Sequence, residues 1–151
     1  MFMTMNEAVA RYNFITKILL HNENKDELSK DLKVKIMSMR IELSKIKKVF
    51  DEDSKAFGEE LITDDFRNLA QKENKSEEEI KDLQEQEAKI NELYASYITQ
   101  LNQKEVDFNT FFTEDEYSEI VKVNIDNDVE INNIKISSSD FLEIIYSLFV
   151  K

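Results

Sequence analysis

Apolar residues recur at helical spacing along most of the chain and at strand spacing in one short stretch near its end. Over residues 6–20, Val9, Tyr12, Thr16 and Leu19 share a face with Ala8 and Ile15 beside them, which predicts a first helix. The next series is Leu28, Leu32, Ile36, Met39, Leu43, Ile46, Phe50 and Phe57. From Leu32 its steps alternate four and three, then skip the polar Asp53 by seven. That heptad seam predicts one long helix, opened by the N-x-x-E pair Asn24 and Glu27 and reaching about Ala56. Val34, Ile41 and Val49 lie off the seam and are expected to widen its buried face. The pattern breaks at Gly58.

Thr63-Asp-Asp-Phe66 can open a short helix using Phe66, Leu69 and Ala70, with Asn74-Lys75 closing it. Ser76 and Glu79 then form a capping box, followed by the seam Ile80, Leu83, Glu87, Ile90, Tyr94, Tyr97 and Leu101, which Glu87 interrupts. Two long helices with matching seams and a short connection fold back most simply as an antiparallel pair. Charge points the same way. Residues 30–48 carry seven Lys/Arg against two acids, and residues 77–92 carry seven acids against two lysines, so these flanks are expected to face each other.

Beyond Leu101 the texture changes. Val106-Asp-Phe108 alternates like a strand, and Thr113 with Glu116 is another capping box, for a helix burying Tyr117, Ile120 and Val121. Val129 and Ile131 face Ile134 and Ile136 across Asn132-Asn133, residues that tolerate the positive φ of a two-residue hairpin turn. Ser137 caps a last helix containing Phe141, Leu142, Ile145, Leu148 and Phe149. The expected fold is mostly α within an α+β class: a long antiparallel helical hairpin with an N-terminal helix, then a small β-hairpin and terminal helix. Residues 1–151 form a single domain, with a helical part at 1–103 and a small α+β unit at 104–151.

Composition narrows the chemistry. One glycine and no proline leave no Gly-rich phosphate loop, and the absence of cysteine excludes disulfides, thiolate metal sites and cysteine nucleophiles. The single histidine, His21, has no evident partner for base or ligand work, so Ser137-Ser138-Ser139 reads as helix capping and not as a nucleophile. Asp126, Asp128 and Glu130 resemble the start of a calcium loop, but Ile131 stands where that loop needs glycine and Ser137 where it needs its bidentate acid. Asp51-Glu-Asp53 with Glu59-Glu60 shows no spacing that enforces metal geometry. No catalytic residue, cofactor or metal is expected. There is no signal-peptide pattern and no window of the ~20 apolar residues a membrane span needs, so the expected location is inside a cell or within something assembled there.

Net charge is −12, and it is uneven. Residues 1–75 balance fourteen basic against fourteen acidic side chains, whereas residues 76–151 hold six against eighteen. Direct binding of nucleic acid is therefore not expected, since it depends on lysine and arginine neutralising phosphates. Protein partners are. Phe108, Phe111, Phe112 and Tyr117 crowd a turn-like region, and together with Ile134, Ile136 and Phe149 they form the candidate partner interface.

The segment KEVDFNTFFTEDEYSEIVKVN, followed by VEINNIKISSSDFLEIIYSLF, resembles small proteins of tailed bacteriophages encoded among tail and virion-assembly genes. The likeness lies in Glu105-Val106-Asp107-Phe108 after a helical pair, then the strands of Val129 to Ile136 and the closing helix of Phe141 to Phe149. It implies a structural or assembly role in a virion, as a head, neck or tail component working through repeated contacts with other subunits or itself, without catalytic residues. Two alternatives stand beside it. The acidic half also suits an inhibitor or nucleic-acid mimic that binds a basic host or defence protein. A small assembly chaperone or adaptor fits the same helical layout.

Overall fold

The structure, a computed structural model, describes residues 2–18 and 28–151. The Asn24 and Glu27 pair, His21-Asn22 and the expected end of the first helix lie outside the described residues. Within them the order is β1 (Phe2–Thr4), α1 (Met5–Ile18), α2 (Lys30–Leu61), α3 (Asp64–Gln71), α4 (Glu77–Asn102), β2 (Glu105–Asp107), α5 (Glu114–Asn124), β3 (Val129–Ile131), β4 (Ile134–Ile136) and α6 (Ser138–Phe149). This is the mostly helical α+β fold expected: a long helix pair, then a two-stranded hairpin and a terminal helix.

The helix starts follow their caps. Thr63 Oγ1 accepts from the Phe66 N–H, Ser76 and Thr113 form reciprocal boxes with Glu79 and Glu116, and Ser137 Oγ accepts from the Asp140 N–H. Thr4 does the same for α1. Its hydroxyl accepts from the Glu7 N–H while the Glu7 carboxylate accepts from the Thr4 N–H at 2.8 Å, so the helix starts at Met5. Leu28 and Ser29 are not helical, and α2 opens instead at Lys30, with the Ser29 hydroxyl accepting from the Leu32 N–H at 3.3 Å. At its other end α2 continues through Gly58 to Leu61. Here glycine serves contact and not termination: a Cβ at Gly58 would stand 3.3 Å from the Tyr94 ring.

The chain divides into two compact units, one of residues up to Lys47 with Glu105–Lys151, the other Lys48–Lys104. The segment from Glu105 on belongs to the same unit as the N-terminal segment. It shares one core with the N-terminal segment, because β1 pairs antiparallel with β2 in the register Phe2↔Asp107, Met3↔Val106 and Thr4↔Glu105. That core collects Met3, Ala8 and Ile15 with Leu32, Ile36, Met39 and Leu43 of α2, and with Phe108, Phe112, Ile120, Val129, Phe141, Ile145 and Phe149. The parallel bridge Phe112↔Val150 ties the loop before α5 to the chain end, where the Phe112 N–H donates to the Phe149 carbonyl at 2.7 Å.

The second unit is different in kind. Phe57 stacks on Tyr97 with ring centroids 4.0 Å apart, and Gly58 meets Tyr94, so α2 and α4 run antiparallel. Within Lys48–Lys104, Leu101 is the one buried apolar side chain and Ser54 the one buried polar one. Phe50, Phe57, Leu83, Ile90 and Tyr97 are only partly covered. The off-seam residues expected to widen the buried face do not: Val34, Ile41 and Val49 are exposed. The seam is a narrow a/d stripe, and residues between its positions point away.

Register also overturns the expected pairing of charges. With Phe57 opposite Tyr97, α2 extends only four residues further before it ends at Leu61. From Tyr97 back to Glu77, α4 runs twenty residues, or ~30 Å at 1.5 Å per residue. Most of the acidic stretch 77–92 therefore passes beyond the end of α2, where α3 packs on α4. Of the basic residues in α2, Lys35 instead binds Glu116 of α5 at 2.7 Å.

Candidate functional site

The residues singled out as an interface separate into two groups. Phe108, Phe112 and Phe149 are fully buried in the core, so they hold the unit together and meet no partner in this fold. Phe111 is half-buried, with its ring against Phe108 and the Lys151 ammonium 5.5 Å from its centroid. Tyr117 is half-buried, and its hydroxyl donates to the Leu142 carbonyl at 2.8 Å. Ile136 is half-buried, while Ile134 at the hairpin tip is 65% exposed.

What gathers the surface residues is α6. Its sequence, SSDFLEIIYSLF, sets a wide apolar face against a polar one of Ser139, Asp140, Glu143 and Ser147; Phe141, Leu142, Ile145 and Phe149 are buried, and Tyr146 at the edge of the apolar face is exposed. Two open hollows flank the uncovered side and share Glu143. One, of about 520 Å³, is lined by Ile136, Asp140, Glu143, Ile144 and Ser147. The other, of about 400 Å³, lies between α5 and α6, with Tyr117, Val121, Ile125 and Tyr146 among its walls. Ile125, Ile134 and Tyr146 are the large exposed apolar side chains of this end.

The hairpin is fixed to α6 by polar contacts. Asn132 and Asn133 take the expected positive φ, 52° and 65°, and pair Val129 with Ile136 and Ile131 with Ile134. Asp128 accepts from the Ser138 N–H at 3.2 Å and pairs with Lys135 at 3.6 Å, while the Ser138 hydroxyl donates to the Ile125 carbonyl. Asp128 thus anchors the start of α6. Among the described residues no three His, Cys, Asp or Glu side chains gather as a metal site, and no helix is long and apolar enough to cross a membrane.

The rim of this surface is acidic. Tyr146 donates to Glu114 at 2.6 Å, and that hydrogen bond, with the charge of Glu114, raises its phenol above the ordinary value. Burial raises Tyr117 likewise, helped by Glu114 and Glu143. Both phenols remain protonated donors at neutral pH. The arrangement is an apolar surface edged by carboxylates, suited to a partner with apolar anchors and basic flanks.

Glu116, at the base of α5, shows how the unit responds to acid. Burial pushes its carboxyl up, but the Lys35 hydrogen bond, the Thr113 N–H at 2.9 Å and the Lys35 charge outweigh it and leave it below the ordinary value. A carboxyl lowered in the folded state stabilises above its unfolded value, and that stability is lost as pH falls through the folded one. Glu116→Gln is therefore expected to be less stable than the parent at pH 7, with the gap closing from about pH 5 downward. Urea titrations at several pH values measure this; a gap constant with pH would remove the ion pair from the account.

Ile125 and Tyr146 were not visible as exposed residues in the sequence. The signal available was the width of the apolar face of α6, with Tyr146 at its edge. Comparison of the chain with family models, with curated proteins and with solved structures finds no match.

Proposed function

We propose that the chain is a non-enzymatic structural or assembly protein of a tailed-bacteriophage particle, a head, neck or tail component that acts through repeated protein–protein contacts. The observation that carries this reading is α6. The helix buries one face in the core, and beyond it the exposed Tyr146, with Ile125 across a shared hollow and Ile134 at the hairpin tip, leaves apolar surface open at this end of the chain. The particle setting rests on the layout that runs from Glu105-Val106-Asp107-Phe108 to the closing helix. The partners are other virion subunits or further copies, in the virion or the host cytoplasm, with neither nucleic acid nor membrane contacted directly.

The test is composition followed by mutation. Mass spectrometry of purified particles is expected to find the protein in stoichiometric amount. Ile125→Asp combined with Tyr146→Asp should leave the melting transition in place and abolish incorporation. Absence of the protein from both finished particles and assembly intermediates overturns the reading. So does normal incorporation of the double variant, which would move the contact away from α6.

A further inference from the structure

The basic run of α2 and the acidic run of α4 are complementary in sequence and unmatched by register, and this remainder indicates where a second copy binds. On the outer side of α2, Lys30, Val34, Met37, Ile41, Lys45 and Lys48 follow one another at steps of four, three, four, four and three. All six are exposed, Val34, Met37 and Ile41 by more than half, so an apolar strip lies open between lysines. No acid occupies any of these six positions, and Glu52, one turn beyond, pairs with Lys48 at 3.7 Å. On α4, Glu78, Asp82, Glu85, Lys89 and Glu92 follow at steps of four, three, four and three, again all exposed, with Leu93 exposed at the end of the row. Glu78, Asp82 and Glu85 line one continuous surface.

We infer that these two faces are the two halves of a contact between copies, the basic face of α2 in one docking on the acidic face of α4 in the next. Complementary charge selects this occupant. Each copy carries one face of each sign, and the two helix stripes match in length at ~27 Å and ~21 Å by helical rise. The antiparallel register carries most of the acidic stretch past the end of α2, where Glu79 pairs with Lys72 and Glu78, Asp82 and Glu85 stay exposed. Unlike faces meeting in this way make a heterologous contact that propagates into a ring or a filament. A contact of two helix faces alone is small, so single links are weak and salt-sensitive, and repetition makes the array stable. The inference rests on the structural role proposed above but uses other residues.

Sedimentation velocity on the full chain tests it. At about 50 mM salt the average mass is expected to climb with concentration, and at about 500 mM to return to the monomer. Lys30→Glu/Lys45→Glu/Lys48→Glu and Glu78→Lys/Asp82→Lys/Glu85→Lys should each weaken association by roughly tenfold or more. Circular dichroism is to confirm that both variants fold. An equimolar mixture of the two should recover the mass growth, because the acidified α2 meets the basified α4 and each variant's untouched face meets the other's. Parent-like association of either variant, or failure of the mixture to recover it, overturns the inference. A parent chain that stays monomeric at low salt overturns it too. None of these results decides whether the protein enters particles through α6, which the Ile125 and Tyr146 variant reads separately.

Discussion

A chain cut after Ser137 is expected to lose cooperative unfolding. The cut removes α6, and with it Phe141, Leu142, Ile145 and Phe149, four members of one buried cluster. Each large apolar side chain taken from a packed core costs roughly 2–5 kcal/mol, and a domain's whole stability is only about 5–15 kcal/mol. Hydrogen bonds go with them: Phe112 loses the Phe149 carbonyl, Tyr117 loses the Leu142 carbonyl, and Asp128 loses the Ser138 N–H. The hairpin β3–β4 is then left without its anchor, and an isolated hairpin is marginal in water. Far-UV circular dichroism should keep part of its helical signal, from α2 and α4, while the sharp thermal transition disappears. A truncated chain melting cooperatively within a few degrees of the parent would show that α6 is an attachment and not part of the core.

The sequence made local features legible and concealed those that depend on distant segments. Thr63, Ser76, Thr113 and Ser137 could be read as caps because a cap is satisfied within three or four residues. The Asn132-Asn133 turn was readable for the same reason. Thr4 and Glu7 carry an identical signal at the start of α1, where the first apolar-periodic residues drew attention further along. Strand β1 had no local signature: three residues at the start of the chain pair with Glu105–Asp107, about a hundred positions away. The same pairing puts Glu105–Lys151 in one unit with the N-terminal segment, which the change of texture near residue 103 does not reveal. Aromatic crowding around Phe108 to Tyr117 did not distinguish Phe108 and Phe112, which face inward, from Phe111 and Tyr117, which are half-buried. Charge complementarity was visible as composition, but which charges meet is decided by register, and register was set by Phe57 on Tyr97.

The same division predicts that equal substitutions will have unequal costs in the two units. Leu43 and Leu83 both occupy seam positions of long helices. Leu43 is fully buried, in one cluster with Ile36, Met39 and Phe108, whereas Leu83 is only partly covered, in a unit whose single buried apolar side chain is Leu101. Leu43→Ala is expected to cost about 2–5 kcal/mol, from lost burial and the cavity left behind. At about 2–4 °C per kcal/mol for a chain of this size, the midpoint falls by ~10 °C. Leu83→Ala leaves a dent open to water and no cavity, so its cost stays below about 1 kcal/mol. Hydrogen exchange should give the same order, with the amides of α3 and of the first half of α4 opening at much lower free energy than those of residues 32–43. Equal losses from the two substitutions would mean that the core extends through both units alike. The expected inequality has a consequence for assembly. A segment so thinly packed gains most from a neighbour bound to its folded form, so its exchange should slow as protein concentration rises, while Leu43 and its cluster stay unchanged.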